Sequence, residues 1–202
     1  MSRFFNLSAA LLVPSLLLSL SGCTNLEESN PPRTATEELL ISTAAERAAR
    51  KLKLKLPSGG KVFVDTTNFE GTDSKYTIAA IRSHLLSRGV RLADDKGSAD
   101  TIVELRADAL STDRINFVVG IPSFNLPMPL SSSPISIPQL ALYGEHGQKG
   151  VASFAATSYN AKTGAYIDAQ QPQFGYSHNN KTTLLFFFSW INNDTIPKNQ
   201  QD

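Results

Sequence analysis

The chain has 202 residues, of which 41% are hydrophobic and 18% are charged, and this length predicts one folded domain or at most two. It carries 19 basic and 18 acidic residues; loss of a leader that contains Arg3 would leave 19 − 1 = 18 of each sign. A chain with balanced charge lacks the basic surface that a nucleic-acid partner or an anionic membrane surface requires. Its single cysteine excludes an internal disulfide.

The amino terminus has the features of a cleaved bacterial signal spanning residues 1 to 22. Arg3 is followed by an apolar stretch, residues 9 to 20, which is too short to cross about 30 Å of hydrocarbon as a helix. Leu20-Ser21-Gly22-Cys23 then resembles the lipobox, in which the lipoprotein signal peptidase cuts before the cysteine. We therefore expect Cys23 to carry a diacylglycerol and an N-acyl chain such as palmitate. The alternative is that Cys23 is a buried residue of an uncleaved helix.

The residue after the cysteine bears on location. It is Thr24, whereas an Asp at this position commonly retains lipoproteins at the inner membrane. The sequence thus predicts a protein anchored in the outer membrane and facing the periplasm, with no cofactor besides the covalent acyl chains. Residues 23 to 33 would form a polar tether, and residues 34 to 191 a single domain.

Two helices are predicted in that domain. The first spans residues 35 to 55, with Thr34 and Glu37 at capping-box spacing. The second spans residues 74 to 88 and ends at Gly89, a favourable residue just beyond a helix. Its expected apolar stripe consists of Tyr76, Ile78, Ile81, Leu85 and Leu86.

The rest of the domain is predicted to be mostly strand. Alternating apolar residues indicate strands at 61–65, 90–93, 100–110, 114–120, 140–143, 150–159, 165–169, 174–178 and 183–190. Glycines predict a turn at 144–147 and a hairpin connection at 160–164, and residues 192 to 202 form a polar tail. The expected fold class is α/β (α+β), with two helices packed on a mixed, largely antiparallel sheet.

A proline-rich, apolar segment spans residues 120 to 140, and two interpretations of it remain open. Five prolines exclude a regular central strand or helix. The segment is either a lid packed over the sheet or an exposed loop for partner binding. In the second case the binding side chains would be Phe124, Leu126, Met128 and Leu130.

A second apolar run, Leu184 to Trp190, lies near the carboxyl end. We interpret it as a strand buried on both faces of the sheet. The alternative is a strand that inserts into a membrane or docks on a partner.

Few residues suggest catalysis or metal binding. The three histidines, His84, His146 and His178, lack the spacing of a zinc site, so no metal is expected. Carboxylates in the loops after strands, such as Asp65 and Asp95, could support acid–base chemistry or bind calcium. Turn formation explains them more simply, and the sequence contains no Gly-x-Ser-x-Gly motif.

Several segments together resemble a known domain. These are KVFVD at 61–65, the Asn68-Phe69 loop, SRGVRLADD at 87–95, ADTIVEL at 99–105 and ATSYNAKTGAYIDA at 156–169. Their order, over roughly residues 60–110 and 150–170, resembles the small α/β domain of periplasmic assembly lipoproteins. Examples are the curli secretion lipoprotein, the lipoprotein activators of peptidoglycan synthases and the amino-terminal domain of the Tol β-propeller protein. Those proteins have Asp where this chain has Asn160.

The mature chain as a whole also resembles a family of proteobacterial lipoproteins without assigned activity. We therefore expect a non-enzymatic binding or scaffold component of the cell envelope, whose partner is another envelope protein. One alternative is an oligomeric, secretion-channel-like lipoprotein, but strands of about 10 alternating residues, which such a channel would need, are not evident in the sequence. A hydrolytic envelope enzyme is the other alternative. The oligomeric state is not evident from the sequence.

Overall fold

The structure is a computed structural model, which describes residues 33–71, 73–127, 135–138 and 140–195. Two helices are described, α1 at Ala35–Lys51 and α2 at Ser74–Ser87. The strands are β1 at Lys61–Asp65, β2 at Arg91–Leu92, β3 at Thr101–Ile121, β4 at Phe124–Leu126, β5 at Ile135–Ile137, β6 at Leu140–Asn160, β7 at Tyr166–Leu184 and β8 at Phe188–Asn193.

Six of these strands form the main sheet, in the order β2-β1-β3-β6-β7-β8. The first three are parallel, whereas β3, β6, β7 and β8 pair antiparallel. Strands β4 and β5 form a separate two-stranded hairpin. The predicted fold class, two helices on a mixed and largely antiparallel sheet, is confirmed.

Helix α1 begins as the sequence predicts and ends earlier. The Glu37 amide donates to Thr34 Oγ1 at 3.3 Å, and the Thr34 amide donates to Glu37 Oε2 at 2.9 Å, which completes the capping box. The helix stops at Lys51 rather than at residue 55. Beyond it, lysines and leucines alternate with the two-residue period of an extended chain, so that Leu52 and Leu54 are buried.

Helix α2 faces the core with a different stripe from the one predicted. Thr77, Ile81 and Leu85, spaced four residues apart, are its buried residues. Tyr76 and Leu86, which belong to the predicted apolar stripe, are about half exposed. The prediction for Gly89 is consistent with its backbone, because its φ of 82° is left-handed and favours glycine.

The contact between α1 and the sheet is close enough to require small residues. A Cβ at Gly150 would lie 2.5 Å from the carbonyl oxygen of Leu40, and one at Gly175 would overlap the carbonyl oxygen of Ala44. Between them, Ser177 Oγ donates to Leu40 O at 2.6 Å. The buried core thus lies between the helices and one face of the sheet, and its members include Leu105 and Phe154.

The central strands are much longer than the sequence predicts. Strands β3 and β6 have 21 residues each and β7 has 19. The predicted turn at residues 144–147 is wrong, because this segment lies inside β6, where it pairs with β3 and β7. Pairing on both sides overrides the local preference of its glycines for a turn. The predicted interruptions near residue 112 and residue 180 are wrong for the same reason.

The hairpin connection at residues 160–164 occurs where predicted. Asn160 Oδ1 accepts hydrogen bonds from the amides of Lys162 and Thr163, both at 2.9 Å. Gly164 has a φ of 71°, which glycine adopts without strain. Asn160 therefore makes the turn contacts that Asn and Asp side chains commonly make.

The carboxyl end of the described chain is tied to the domain. Strand β8 runs to Asn193, two residues past the predicted boundary. Asp194 then accepts a 2.5 Å hydrogen bond from Arg47 of α1 and a 2.7 Å bond from the His178 amide. Burial alone would raise the pKa of Asp194. The bonds from His178 and Arg47 lower it by more than burial raises it, so the pKa of Asp194 lies below its usual range.

Candidate functional site

At one end of the sheet the long strands are exposed and carry few charged side chains. We call this end the distal sheet and define it as residues 115–121, 140–147, 179–184 and 188–193 with the connecting residues 185–187. Residues 115 to 144 and 182 to 193 contain no Asp, Glu, Lys, Arg or His. Register brings the two uncharged segments together, because Tyr143 pairs with both Val119 and Leu184. Most of the distal sheet therefore carries no charged side chain.

The face of the distal sheet opposite α1, here called the open face, is apolar and exposed. Directly paired residues of an antiparallel sheet share a face, and the register places two rows there. The outer row contains Val119, Tyr143, Leu184 and Phe188, and the next row contains Phe117, Glu145, Thr182 and Trp190. Phe117 and Tyr143 are in edge-to-face contact, while Trp190 is 52% exposed.

Glu145 is the one acidic residue on the open face within these rows. The hydroxyl of Tyr143 donates to its Oε2 at 3.2 Å. The negative charge of Glu145 disfavours ionisation of the nearby phenol, and the hydrogen bond adds to this effect. Glu145 therefore raises the pKa of Tyr143. The row containing Glu145 thus marks the boundary of the uncharged surface.

The other face of the distal sheet, on the side of α1, is largely polar. Its rows contain Asn116, His146, Lys181 and the exposed Ile191, followed by Val118, Gly144, Thr183 and Ser189. His146 Nδ1 lies 3.0 Å from Asn116 Oδ1 across the two strands. Strand alternation therefore separates an apolar face from a polar face, as in a sheet with one face in water and one in contact with apolar material.

The tip between β7 and β8 corrects one interpretation made from the sequence. Leu184 to Trp190 is not a strand buried on both faces; it is an exposed hairpin end, with Phe187 73% exposed. Leu185 and Phe186 have φ angles of 49° and 71°, a backbone region that large L-residues rarely adopt. Their amides donate to Leu142 O and Ala141 O at 2.8 and 2.9 Å, which fixes the turn.

The described part of the proline-rich segment is exposed. Phe124 and Leu126 lie in β4, and both are 45% exposed. Their strand pairs with β5, where Ile135 is also exposed. For these residues the structure favours the exposed loop over the packed lid. Met128 and Leu130, the other two predicted binding residues, lie outside the described residues.

The loop carboxylates named in the sequence analysis do not converge. Asp65 pairs with Lys96 at 2.7 Å and accepts a 2.6 Å bond from Thr67 Oγ1. Lys96 and Thr67 lower the pKa of Asp65 to about 2. Asp95 accepts from the Ser98 amide at 2.8 Å. The bonds of Asp65 with Thr67 and of Asp95 with Ser98 are those of local turns, whereas the ion pair of Asp65 with Lys96 joins the end of β1 to the loop after β2.

The three histidines also lie apart. His84 contacts Leu52 O at 3.1 Å, His146 contacts Asn116, and His178 Nδ1 lies 3.1 Å from Asp194 Oδ2. Within the described ranges, no three side chains of His, Cys, Asp or Glu are grouped as metal ligands.

A groove of about 490 Å³ lies between α1 and α2. Tyr76 donates to Glu46 there at 2.7 Å, and this hydrogen bond raises the pKa of Tyr76. Ser87 Oγ donates to the backbone oxygen of His84 rather than to a base. A tyrosine held protonated and a serine engaged by the backbone do not form a nucleophile–base pair.

Other predicted features fall outside the described residues. Leu20, Ser21, Gly22 and Cys23 precede residue 33, so the lipobox remains a prediction. Neither α1 nor α2, the helices that the structure describes, has the length and hydropathy needed to cross a membrane.

Sequence reasoning missed the distal sheet, although a signal was present. The two uncharged segments are separated by residues 145 to 181, so neither one marks a shared surface by itself. The register of β6 against its neighbours is needed to join them.

Comparison with known proteins assigns the chain to a family whose function is unknown. No curated protein matches the chain. The model of a family of unknown function, DUF6655, matches residues 17–173, which is more than half of the chain. The chain belongs to this family of unknown function, DUF6655.

Proposed function

We propose that the protein is a lipid-anchored component of the bacterial envelope that acts by binding and not by catalysis. It would be held at the outer membrane, facing the periplasm, by acyl chains on Cys23. Its binding surface would be the distal sheet, and its partner another component of the envelope, for which the sequence favours a protein. The observation that carries this proposal is the meeting of two uncharged segments in one exposed apolar surface.

Physical reasons support a binding role for this surface. Monomeric soluble proteins rarely expose large contiguous apolar patches, and those that occur commonly mark interaction sites. Here Phe187, Phe188 and Trp190 are each more than half exposed. Covering one such side chain contributes roughly 1.5–3 kcal/mol. An enzyme remains the weaker proposal, because the interhelical groove offers no paired nucleophile and base among the described residues.

Photocrosslinking in intact cells tests the proposal. A benzophenone amino acid replaces Phe187 in one variant and Tyr166 in its matched control. Both positions are aromatic and exposed, at 73% and 68%, but Tyr166 begins β7 at the end remote from the distal sheet. We expect adducts with protein or lipid at position 187 and few at position 166. Equal or absent adducts at the two positions would contradict the proposal.

An oligomeric, channel-like assembly is a second candidate, favoured by the long strands that the sequence analysis did not find. In the described residues, β3 beyond Glu104 pairs only with β6, and β8 pairs only with β7. Both edges are thus open, and β8 of one copy could continue the sheet at β3 of the next. Native mass spectrometry of the detergent-solubilised protein tests this; a single copy at all concentrations would reject it.

A further inference from the structure

We propose that the open face of the distal sheet, from the row of Glu145 to the tip, contacts the acyl chains of a lipid bilayer. Trp190 would lie near the boundary with the headgroups and Phe187 deeper, while the opposite face of the sheet remains in water. This inference rests on the proposed function, because it names the envelope component that the distal sheet binds.

The distribution of charge favours lipid over a protein surface. A charged side chain in hydrocarbon costs roughly 2.5–3.5 kcal/mol, whereas the rim of a protein interface is polar and tolerates charge. Residues 115 to 144 and 182 to 193 exclude every charge and every histidine. Arg114, Glu145, Lys181 and Asp194 stand directly at the ends of the two segments. Such sharp limits match the transition from hydrocarbon to headgroups and water.

The two faces of the distal sheet fit a boundary between hydrocarbon and water. Between the row of Glu145 and the tip, the open face presents Val119, Leu184 and Phe188 in one row, and the opposite face presents Val118, Gly144, Thr183 and Ser189. A sheet immersed on both sides would have to bury the hydroxyl groups of Thr183 and Ser189 without water. Contact through one face leaves them hydrated.

The dimensions and the position of the tryptophan agree with this arrangement. From the row of Glu145 to its end, strand β3 comprises residues 117–121, which is about 16 Å at roughly 3.3 Å per residue. Helix α1 begins beside Arg114, whose guanidinium pairs with Glu37. Trp190 lies in the row of Glu145, and tryptophan is enriched at the interface between hydrocarbon and water.

The tip supplies independent support. A tight turn between strands usually uses Asn or Gly, which tolerate positive φ. Here Leu185 and Phe186 occupy that conformation, and Phe187 follows them. Strained backbone persists where another requirement outweighs it. Three successive large apolar side chains at an exposed turn meet the requirement of insertion into lipid.

Trp190 is the chain's only tryptophan, so its fluorescence reports directly on the proposed contact. The full mature protein is reconstituted into vesicles of phosphatidylethanolamine and phosphatidylglycerol with brominated acyl chains, which quench tryptophan on contact. Two variants move the tryptophan: Trp190→Phe with Phe187→Trp places it at the tip, and Trp190→Phe with Tyr166→Trp places it at the opposite end of β7.

We expect the native protein and the tip variant to lose most of their emission in brominated vesicles, and the Tyr166→Trp variant to lose little. Bromines deep in the acyl chain should quench the tip variant more than the native protein. Equal quenching of all three proteins would indicate general adsorption and overturn the inference. Absence of quenching overturns the inference as well. In that case Trp190 either emits as it does in water, or its emission shifts to the blue as the protein concentration rises. The second result would indicate contact with a second copy of the chain.

Failure of this inference differs from failure of the proposed function. If bromines do not quench Trp190 but a crosslinker at position 187 still captures a protein in cells, the bilayer is wrong and the binding surface stands. If both signals are missing, both proposals are rejected.

Discussion

Ser177 Oγ donates a 2.6 Å hydrogen bond to the carbonyl oxygen of Leu40, at the contact between α1 and β7. The carbonyl already belongs to the helix ladder, so this bond orients α1 on the sheet without disrupting it. Two residues before Ser177, Gly175 lies against the backbone of Ala44 and Ala48. The position of the helix, and with it the division between covered and open parts of the sheet, depends on these close approaches.

Gly175→Ala should therefore destabilise the protein by about 3 kcal/mol, because its Cβ would overlap the backbone of α1 and force the helix away. Gly147→Ala is the matched control in β6, where the nearest atom is Asn180 Oδ1 at 3.2 Å, the end of a side chain that can move. The control should change stability by less than about 1 kcal/mol. Urea unfolding of both variants measures the difference; similar values for the two would show that α1 is not held this closely.

Asp65→Asn should reduce stability at pH 7 by about 1–2 kcal/mol, because the pKa of Asp65 falls from 3.8 to about 2 on folding. Since the folded pKa is lowered, the contribution is present above pH 4 and is lost as the pH falls through about 2. Urea unfolding between pH 7 and pH 2 should show the two proteins converging. Asp94→Asn, an exposed carboxylate in the loop of Lys96, should change stability at pH 7 by only a few tenths of a kcal/mol. A constant difference across the whole pH range would reject the role of the carboxylate charge.

Phe124→Ser combined with Leu126→Ser should shift the melting temperature by no more than about 2 °C, since both side chains are exposed. Val103→Ser combined with Leu105→Ser, at two fully buried positions of β3, should lower it by many degrees. Thermal unfolding followed by circular dichroism provides the comparison. A large loss in the first variant would restore the interpretation of the proline-rich segment as a packed lid.

The sequence predicts those parts of this fold that depend on contacts between residues close together in the chain. The capping box of Thr34 and Glu37 and the turn at Asn160 depend on neighbouring residues alone, and both occur as predicted. The alternation of lysine and leucine after Lys51 is also a local signal for extended chain, although the helix predicted over residues 35 to 55 runs through it.

Other features depend on residues distant in sequence. The turn residues at 144–147 lie within β6 because strands on both sides complete their hydrogen bonds. Leu184 to Trp190 has the composition of a buried strand, but no layer among the described residues covers it. The candidate site arises from the pairing of Tyr143 with Val119 and Leu184, so no single segment could predict it.

Cys23→Ser should leave the protein as an unprocessed precursor without acyl chains, because lipidation and cleavage both require the thiol of the lipobox cysteine. Incorporation of radiolabelled palmitate and the size of the product on a gel measure both steps. Ser21→Ala is a suitable control, since it keeps a small residue in the lipobox and should be processed normally. Equal labelling of the Cys23→Ser variant and the native protein would disprove the anchor.

Thiol accessibility in native membranes tests most directly whether the distal sheet is covered there. The natural chain has one cysteine, so Phe187→Cys and Tyr166→Cys each add a single thiol at an exposed aromatic position, and the unsubstituted protein gives the background. Isolated membranes are treated with a hydrophilic maleimide before and after denaturation in urea and detergent. The account predicts that Tyr166→Cys reacts under both conditions and that Phe187→Cys reacts only after denaturation. Equal and rapid labelling of the two variants in undisturbed membranes would contradict it.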